Sequence, residues 1–186
     1  MSLIPGPCGD LVLPDDCTDG LYLLADCFVC AGMEAIRPYL PQPDGSCDPF
    51  VGFVAFSQNT QPDDICNQLT VLVSKLSPKF RKLPGCNIGS VSVLMRLEAI
   101  FAVYPMVEEI ESGQFHLPDP EVQATANRWL YSVGISLFNA IHDLVSTPDS
   151  CDGMSVATSY AMGDFLPSGP RGGCAGWNTT ITAELR

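Results

Sequence analysis

The residues best suited by type to chemistry are nine cysteines and two histidines. The cysteines are Cys8, Cys17, Cys27, Cys30, Cys47, Cys66, Cys86, Cys151 and Cys174; the histidines are His116 and His142. Thiolates at short spacing are the usual ligands of zinc. Only Cys27-Phe-Val-Cys30 has that spacing, no second close pair accompanies it, and both histidines are distant in sequence. A redox pair of the thioredoxin kind needs its first cysteine at a helix N-terminus, where the pKa falls. Cys27 instead sits well inside an apolar helical pattern, and side chains three apart on a helix share a face. The pair therefore reads as buried free thiols. The count is odd, and Met1–Cys8 has neither a cationic start nor a continuous apolar stretch. These features lead us to expect no secretory signal and no full disulfide framework.

Other patterns offer little more. In Gly169-Pro-Arg-Gly-Gly-Cys-Ala-Gly176 bare amides could wrap an anion. A phosphate-binding loop, however, needs Lys followed by Ser or Thr at a helix start, and this segment leads into a strand pattern with no lysine. It reads as a turn demanding unusual φ angles and close backbone approach. The pairs Glu108–Glu109 and Asp63–Asp64 lie among 21 acids, where neighbours arise by chance. Nothing gives them the burial that acid–base catalysis requires. His142, at the solvent-edge end of a helical stripe, reads as a surface or partly buried structural histidine. A Cys–His nucleophile pair forms only in space, and the sequence leaves it open. Asn178-Thr-Thr180 matches a glycosylation acceptor but reads as part of a strand. We expect no catalytic residue, cofactor or metal. A small soluble enzyme or binding module with a deep polar pocket is the alternative from outside this class.

The elements follow from periodicity. Leu21, Leu24, Phe28, Ala31 and Ala35, with Leu23, Cys27 and Cys30 beside them, predict a helix from about Thr18 to Arg37, ended by Pro38 and Pro41. Residues 1–16, rich in Pro and Gly, read as an irregular arm, and 17–186 as a single domain. Phe50–Phe56 and Asn67–Leu76 read as strands, followed by a basic loop, Ser77 to Gly85. Ser90 to about Val103 alternates apolar Val91, Val93, Met95, Leu97 and Ala99 with Ser92, Arg96 and Glu98, the mark of a sheet with one wet face. Tyr104–Pro120 reads as an acidic loop. Asp119 and Pro120 then begin a second helix whose stripe runs through Trp129, Val133, Leu137, Ile141 and Leu144 to Ser146. Gly134 is its weak point, costing about 1 kcal/mol relative to Ala. Strands at Ser155–Met162 and Trp177–Leu185 follow, separated by the glycine-rich loop 167–176. The order α-β-β-β-α-β-β lacks βα alternation, so we expect an α+β fold: a mostly antiparallel sheet with two main helices on one face.

The 186 residues are 46% hydrophobic and 16% charged, enough for one real core. The formal charge of −12 argues against a protein that grips nucleic acid through its phosphates. No apolar run approaches the roughly 20 residues that cross a bilayer, so we expect a soluble protein with no membrane partner. All five cations between 65 and 97 (Lys75, Lys79, Arg81, Lys82, Arg96) stand without an acid, whereas the flanking segments are strongly acidic. Solvated faces are one reading of that pattern. The other is self-complementarity, a basic hairpin on one subunit meeting an acidic face of its neighbour. Lys79, Arg81 and Lys82, and also Arg171, are the candidate assembly contacts.

The segment Gly169–Gly176 followed by the Trp177–Leu185 strand resembles the ending of tail terminator and related head-to-tail connector proteins of actinobacterial long-tailed phages. The N-terminal helix agrees, as does Cys66-Asn-Gln-Leu-Thr-Val-Leu-Val followed by a proline-rich hairpin. The order of elements resembles the lambda-type tail terminator fold, in which helices cover one side of a sheet. The resemblance implies a homo-hexameric ring of the virion neck, assembled in the host cytoplasm. Such a ring caps the tail tube, stops polymerisation of the major tail tube protein and offers a surface to the head-side stopper. No cofactor or active site is implied. A head-to-tail stopper or minor tail protein is the nearest alternative. Genomic DNA would pass through the lumen without specific binding. On charge alone, Glu108, Glu109 and Glu111 are the candidate acidic lining, acting over a Debye length of roughly 8–10 Å.

Overall fold

The computed structural model describes residues 19–40, 50–56, 66–83, 86–103, 119–147, 151–171 and 174–185, with backbone alone for 19, 79–83, 86–89, 152 and 170–171. The arm at 1–16 and the acidic segment 104–118 lie outside them. Helix α2 (Pro120–Ser146) covers the span its sequence predicts. The Asp119 carboxylate accepts from the Glu121 N–H at 2.8 Å, and Pro120 occupies the first turn, where no amide partner is needed. Helix α1 (Asp19–Ile36) passes into a 3-10 turn at Arg37–Tyr39, because Pro38 cannot continue the α-helical ladder. Ser136 donates to the Ala35 carbonyl (2.9 Å) and Trp129 to that of Tyr39 (3.2 Å). The end of α1 therefore meets the first half of α2, and the two helices run antiparallel.

The chain is α+β. Its strands are β1 (Val51–Ala55), β2 (Gln68–Leu83), β3 (Cys86–Ala102), β4 (Ala157–Met162), β5 (Leu166–Arg171) and β6 (Cys174–Leu185). They form one sheet of order β1-β2-β3-β6-β4, with β5 also on β6. β1 is parallel to β2, and every other pairing is antiparallel. Leu69, Val71 and Val73 of β2, Val93 to Phe101 of β3, and Ile181 and Ala183 of β6 join Leu24, Phe28, Val133, Leu137 and Ile141 of the helices in one buried cluster. Both helices thus cover the same face, as the alternation required.

Four expectations are corrected. Three strands, not two, follow α2: the expected loop at 167–176 holds most of β5, Leu166–Arg171, which pairs along β6, and the start of β6 itself at Cys174. Small residues carry no apolar alternation, yet β6 gives 166–171 a partner and the end of β3 gives Cys174–Gly176 theirs. Gly169 has φ 96°, inside β5 where its pairing with β6 is interrupted, and a Cβ on Gly176 would strike the Ala99 carbonyl, so the glycines serve a strand irregularity and a close approach. Second, the basic loop at 77–85 is strand as far as Leu83, paired with Cys86–Ser92. Third, the outer face is not uniformly wet. Gln68, Thr70, Leu72 and Glu98 are buried there, and Glu98 accepts from Ser168 at 3.1 Å and faces Arg96 at 3.4 Å.

The fourth correction concerns sulfur. Cys27 bonds Cys151 and Cys66 bonds Cys174, across 124 and 108 residues, with Cα separations of 6.3 and 5.7 Å. Cys30, expected to be buried, is an exposed free thiol. Cys66 precedes β2 and Cys174 opens β6, so their bond joins the two neighbours of β3 beyond that strand's end. Beside it Asn67 adopts φ 66°, and its side-chain carbonyl accepts from the Ala102 N–H at 3.0 Å.

Candidate functional site

The features that could act on other molecules lie at the margins of the sheet. β1 pairs β2 only over Gln68–Leu72, and β6 pairs β3 only from Val91 onward. Residues 79–83 and 86–90 therefore pair only with each other among the described strands and extend past the sheet as a two-stranded ribbon. Lys79, Arg81 and Lys82 lie on the β2 side of this ribbon, opposite Ser90, Ile88 and Asn87. Arg171 ends β5 opposite Cys174, far along the chain from the ribbon. Nothing described brings it to the three cations. Glu108, Glu109 and Glu111 lie outside the described residues, as does His116.

At one margin of the sheet, β1 is followed by Phe56, which stacks on Tyr22 of α1 (6.5 Å), both exposed; Val51, also exposed, is on the opposite face of β1. At the other margin, β4 and β5 lie in line along β6, opposite Ile181–Leu185 and Cys174–Asn178 respectively. Above that margin the outer flank of α2 presents Tyr131, Ile135 and Phe138, which are 63%, 45% and 37% exposed. Leu166 of β5 is 51% exposed. Rings connect the flank to the sheet: Phe138 packs on His142 and on Phe165 (both 5.8 Å), and Phe165 stacks on Trp177 (5.3 Å). Trp177 donates to the Leu130 carbonyl at 2.9 Å and lies against Gly134. The sequence reading followed the buried stripe of α2 and missed this second stripe. Its signal was the helical spacing of 131, 135 and 138.

Two cavities flank the helices. One, of about 540 Å³, lies between the end of β3 and the start of α2, lined by Ala102, Val103, Glu121, Val122, Thr125, Ala126 and Trp129. Glu121 is its one charged side chain among these. The other, of about 370 Å³, lies between α1 and the last turns of α2 and holds Cys27, Cys30 and Cys151 with Glu34 and Asp143. Burial, the Asp26 carboxylate and Glu34 push the Cys30 thiol up from its ordinary pKa. His142 is exposed at the surface of α2, with Nδ1 3.7 Å from the Asp143 carboxylate. Among the described residues no group of three or more His, Cys, Asp and Glu is placed to hold a metal ion, and no helix is long and apolar enough to cross a membrane.

No protein-family model and no curated protein matches the chain. Among the described residues the arrangement supplies sheet margins without a further paired strand, unlike apolar patches beside them, and a projecting ribbon with three cations on one strand.

Proposed function

We propose that this chain works by shape, as a repeated tile of a phage neck, and that its role is that of a tail terminator. The observation that carries the tile reading is the pair of unlike apolar patches on opposite margins of one sheet. Tyr22 and Phe56, in ring contact, lie on the β1 side; Tyr131, Ile135 and Phe138, one stripe of α2, lie on the β4–β5 side. A patch that is self-complementary makes a two-fold dimer, whereas two different patches make a head-to-tail contact that closes into a ring when the rotation allows. Burying each such side chain fully is worth about 1.5–3 kcal/mol. Several together can offset the repulsion between copies that each carry −12. The projecting ribbon suits contact with a neighbour's acidic surface or with a tube ring above or below. The terminator role rests on the resemblance of 169–185, and the acidic lining of a DNA passage by Glu108, Glu109 and Glu111 rests on charge. Disulfides suit a particle that spends its life outside a reducing cytosol.

Two experiments test this reading. Tyr131→Asp/Ile135→Asp should block one patch and Phe56→Asp the other, and each variant alone should fail to form rings on tail tubes. Mixed in equal amounts, they retain one good patch of each kind and should give a heterodimer that grows no further. Homodimers from either variant would sink the head-to-tail contact. Wild-type chain added to polymerising tube protein should stop elongation and leave ring density at the tube end. Undiminished elongation, with binding to the head-side connector instead, would make the protein a stopper. A converted small molecule would remove it from this class.

A further inference from the structure

We infer that Cys27, Cys30 and Cys151 form an internal thiol–disulfide exchange site, in which Cys30 displaces Cys151 from its bond with Cys27. All three cysteines open on the same cavity of about 370 Å³ between α1 and the end of α2. Cys27 is 5% exposed and bonded to Cys151, whereas Cys30 is exposed and free. External thiols thus meet a largely covered bond flanked by the acids Glu34 and Asp143, whereas Cys30 is a free sulfur lining the same cavity as that bond. Helix geometry puts positions i and i+3 on one face, with Cβ atoms about 5–6 Å apart. A rise of 1.5 Å per residue on a radius of about 2.3 Å puts their Cα atoms about 5 Å apart. That lies within the 4.4–6.8 Å range that disulfides span, so a Cys27–Cys30 bond needs local adjustment of the helix and no unfolding.

The step balances within the three sulfurs. Cys30 gives its proton to solvent, and the thiolate attacks Cys27 Sγ. The Cys27–Cys151 bond breaks as Cys27–Cys30 forms, and Cys151 leaves as a thiolate that takes a proton from solvent. No oxidant or reductant enters. The consequence is mechanical, because the broken bond is the covalent tie between α1 and the 3-10 turn Asp152–Val156 beneath it. There Met154 is buried, and Gly153 abuts the Leu23 carbonyl.

Acids restrain the step. The Cys30 thiol donates to the Asp26 carboxylate at 3.8 Å, Glu34 lies one turn further along α1, and Asp143 faces the cavity from α2. Burial and the negative charges of Asp26 and Glu34 raise the thiol's pKa, so little thiolate exists near neutrality. Exchange rate follows thiolate fraction, so it should rise about tenfold per pH unit below that pKa.

The test uses the oxidised full chain, incubated without reductant at pH 6, 8 and 9.5, acid-quenched, labelled with N-ethylmaleimide and mapped by peptic digestion and mass spectrometry. At pH 6 the label should sit on Cys30. At pH 9.5 a growing share should sit on Cys151, with the Cys27–Cys30 bond inside one α1 peptide. Asp26→Asn/Glu34→Gln should raise the Cys151 label at pH 8 several-fold, and Cys30→Ser should abolish it at every pH. Cys151 unlabelled at pH 9.5 while Cys30 labels fully would overturn the inference. So would Cys151 labelling that persists in Cys30→Ser, which would assign the attack to another thiol.

Discussion

Helix propensity and packing give opposite signs for Gly134→Ala, and the structure decides between them. In an exposed helix interior alanine would stabilise by about 1 kcal/mol. Here a Cβ would come within 2.8 Å of Trp177 Cζ2 and closer still to Cε2 and Nε1. The indole cannot simply retreat. Its far side stacks on Phe165 at 5.3 Å, and its N–H is committed to the Leu130 carbonyl, one turn before the glycine. Overpacking of this kind costs about 1–3 kcal/mol, and a weakened hydrogen bond adds about 1 kcal/mol. Net of propensity, Gly134→Ala should destabilise by about 1–3 kcal/mol. Urea unfolding of the oxidised protein, followed by circular dichroism, reads this as a lower midpoint at unchanged slope. In a Trp177→Leu background the obstacle is gone and the same substitution should stabilise by up to about 1 kcal/mol. A raised midpoint for Gly134→Ala in the wild-type background, or equal effects in both, would refute the reasoning.

Further outcomes follow from the same contacts. Replacing Cys66 and Cys174 together by Ser frees a bond spanning 108 residues and should cost about 2–4 kcal/mol in denaturant unfolding. Burial pushes Tyr160 up to about 12 from an ordinary 10, and its hydroxyl donates to the Met154 carbonyl. The folded state then keeps a proton that the unfolded state releases, so stability should be full below pH 10 and fall as pH rises from about 10 to about 12. Tyr160→Phe should flatten that decline. Asn67→Ala should destabilise by about 1–2 kcal/mol in thermal or urea unfolding, since it keeps the φ of 66° and loses the acceptor for Ala102 N–H. Lys79→Glu/Arg81→Glu/Lys82→Glu should weaken ring formation, most at low salt, as measured by sedimentation or imaging. Unchanged assembly would leave the ribbon a solvated projection.

Legibility tracked how local the cause was. α2 could be placed to the residue because Asp119, Pro120 and Glu121 spell a helix start and the buried stripe repeats without a break. The core face of β2 and β3 was equally plain, since Leu69, Val71, Met95 and Leu97 alternate with polar residues. The ribbon was not, because Ser77–Leu83 has no apolar alternation and is strand through its pairing with Cys86–Ser92. Cys174-Ala-Gly176 joined β6 for the same reason. The disulfides were invisible because each partner lies more than a hundred residues from the other and spacing rules see only neighbours. Glu98 alternates like any wet-face acid, and only the folded arrangement puts the Ser168 hydroxyl on it. The second stripe of α2 was legible but was passed over beside the stronger buried one.

Rigidity and openness divide the molecule in a way that bears on how copies would meet. β3 is paired on both sides from Val91 to Ile100, and its two neighbours are bonded to each other past its end by Cys66–Cys174. Trp177 pins β6 to α2. The centre therefore cannot deform to suit a partner. The margins differ: β1, β4 and β5 have five or six residues each, and β4 and β5 are both interrupted by register shifts along β6. Short, broken edges make poor templates for continuous backbone pairing, which limits uncontrolled growth of sheet on sheet. In the ring we propose, association would depend on side chains that already protrude, the flank of α2 on one side and Tyr22 with Phe56 on the other. Contacts of that kind depend on the angle between rigid bodies. With every chain carrying −12, the proposed ring would hold only in a geometry that buries both patches fully. If the chain is the tile we propose, its short edges and two unlike patches would favour one closed arrangement over an open fibre, because a slightly wrong angle forfeits the apolar contact while keeping the whole repulsion.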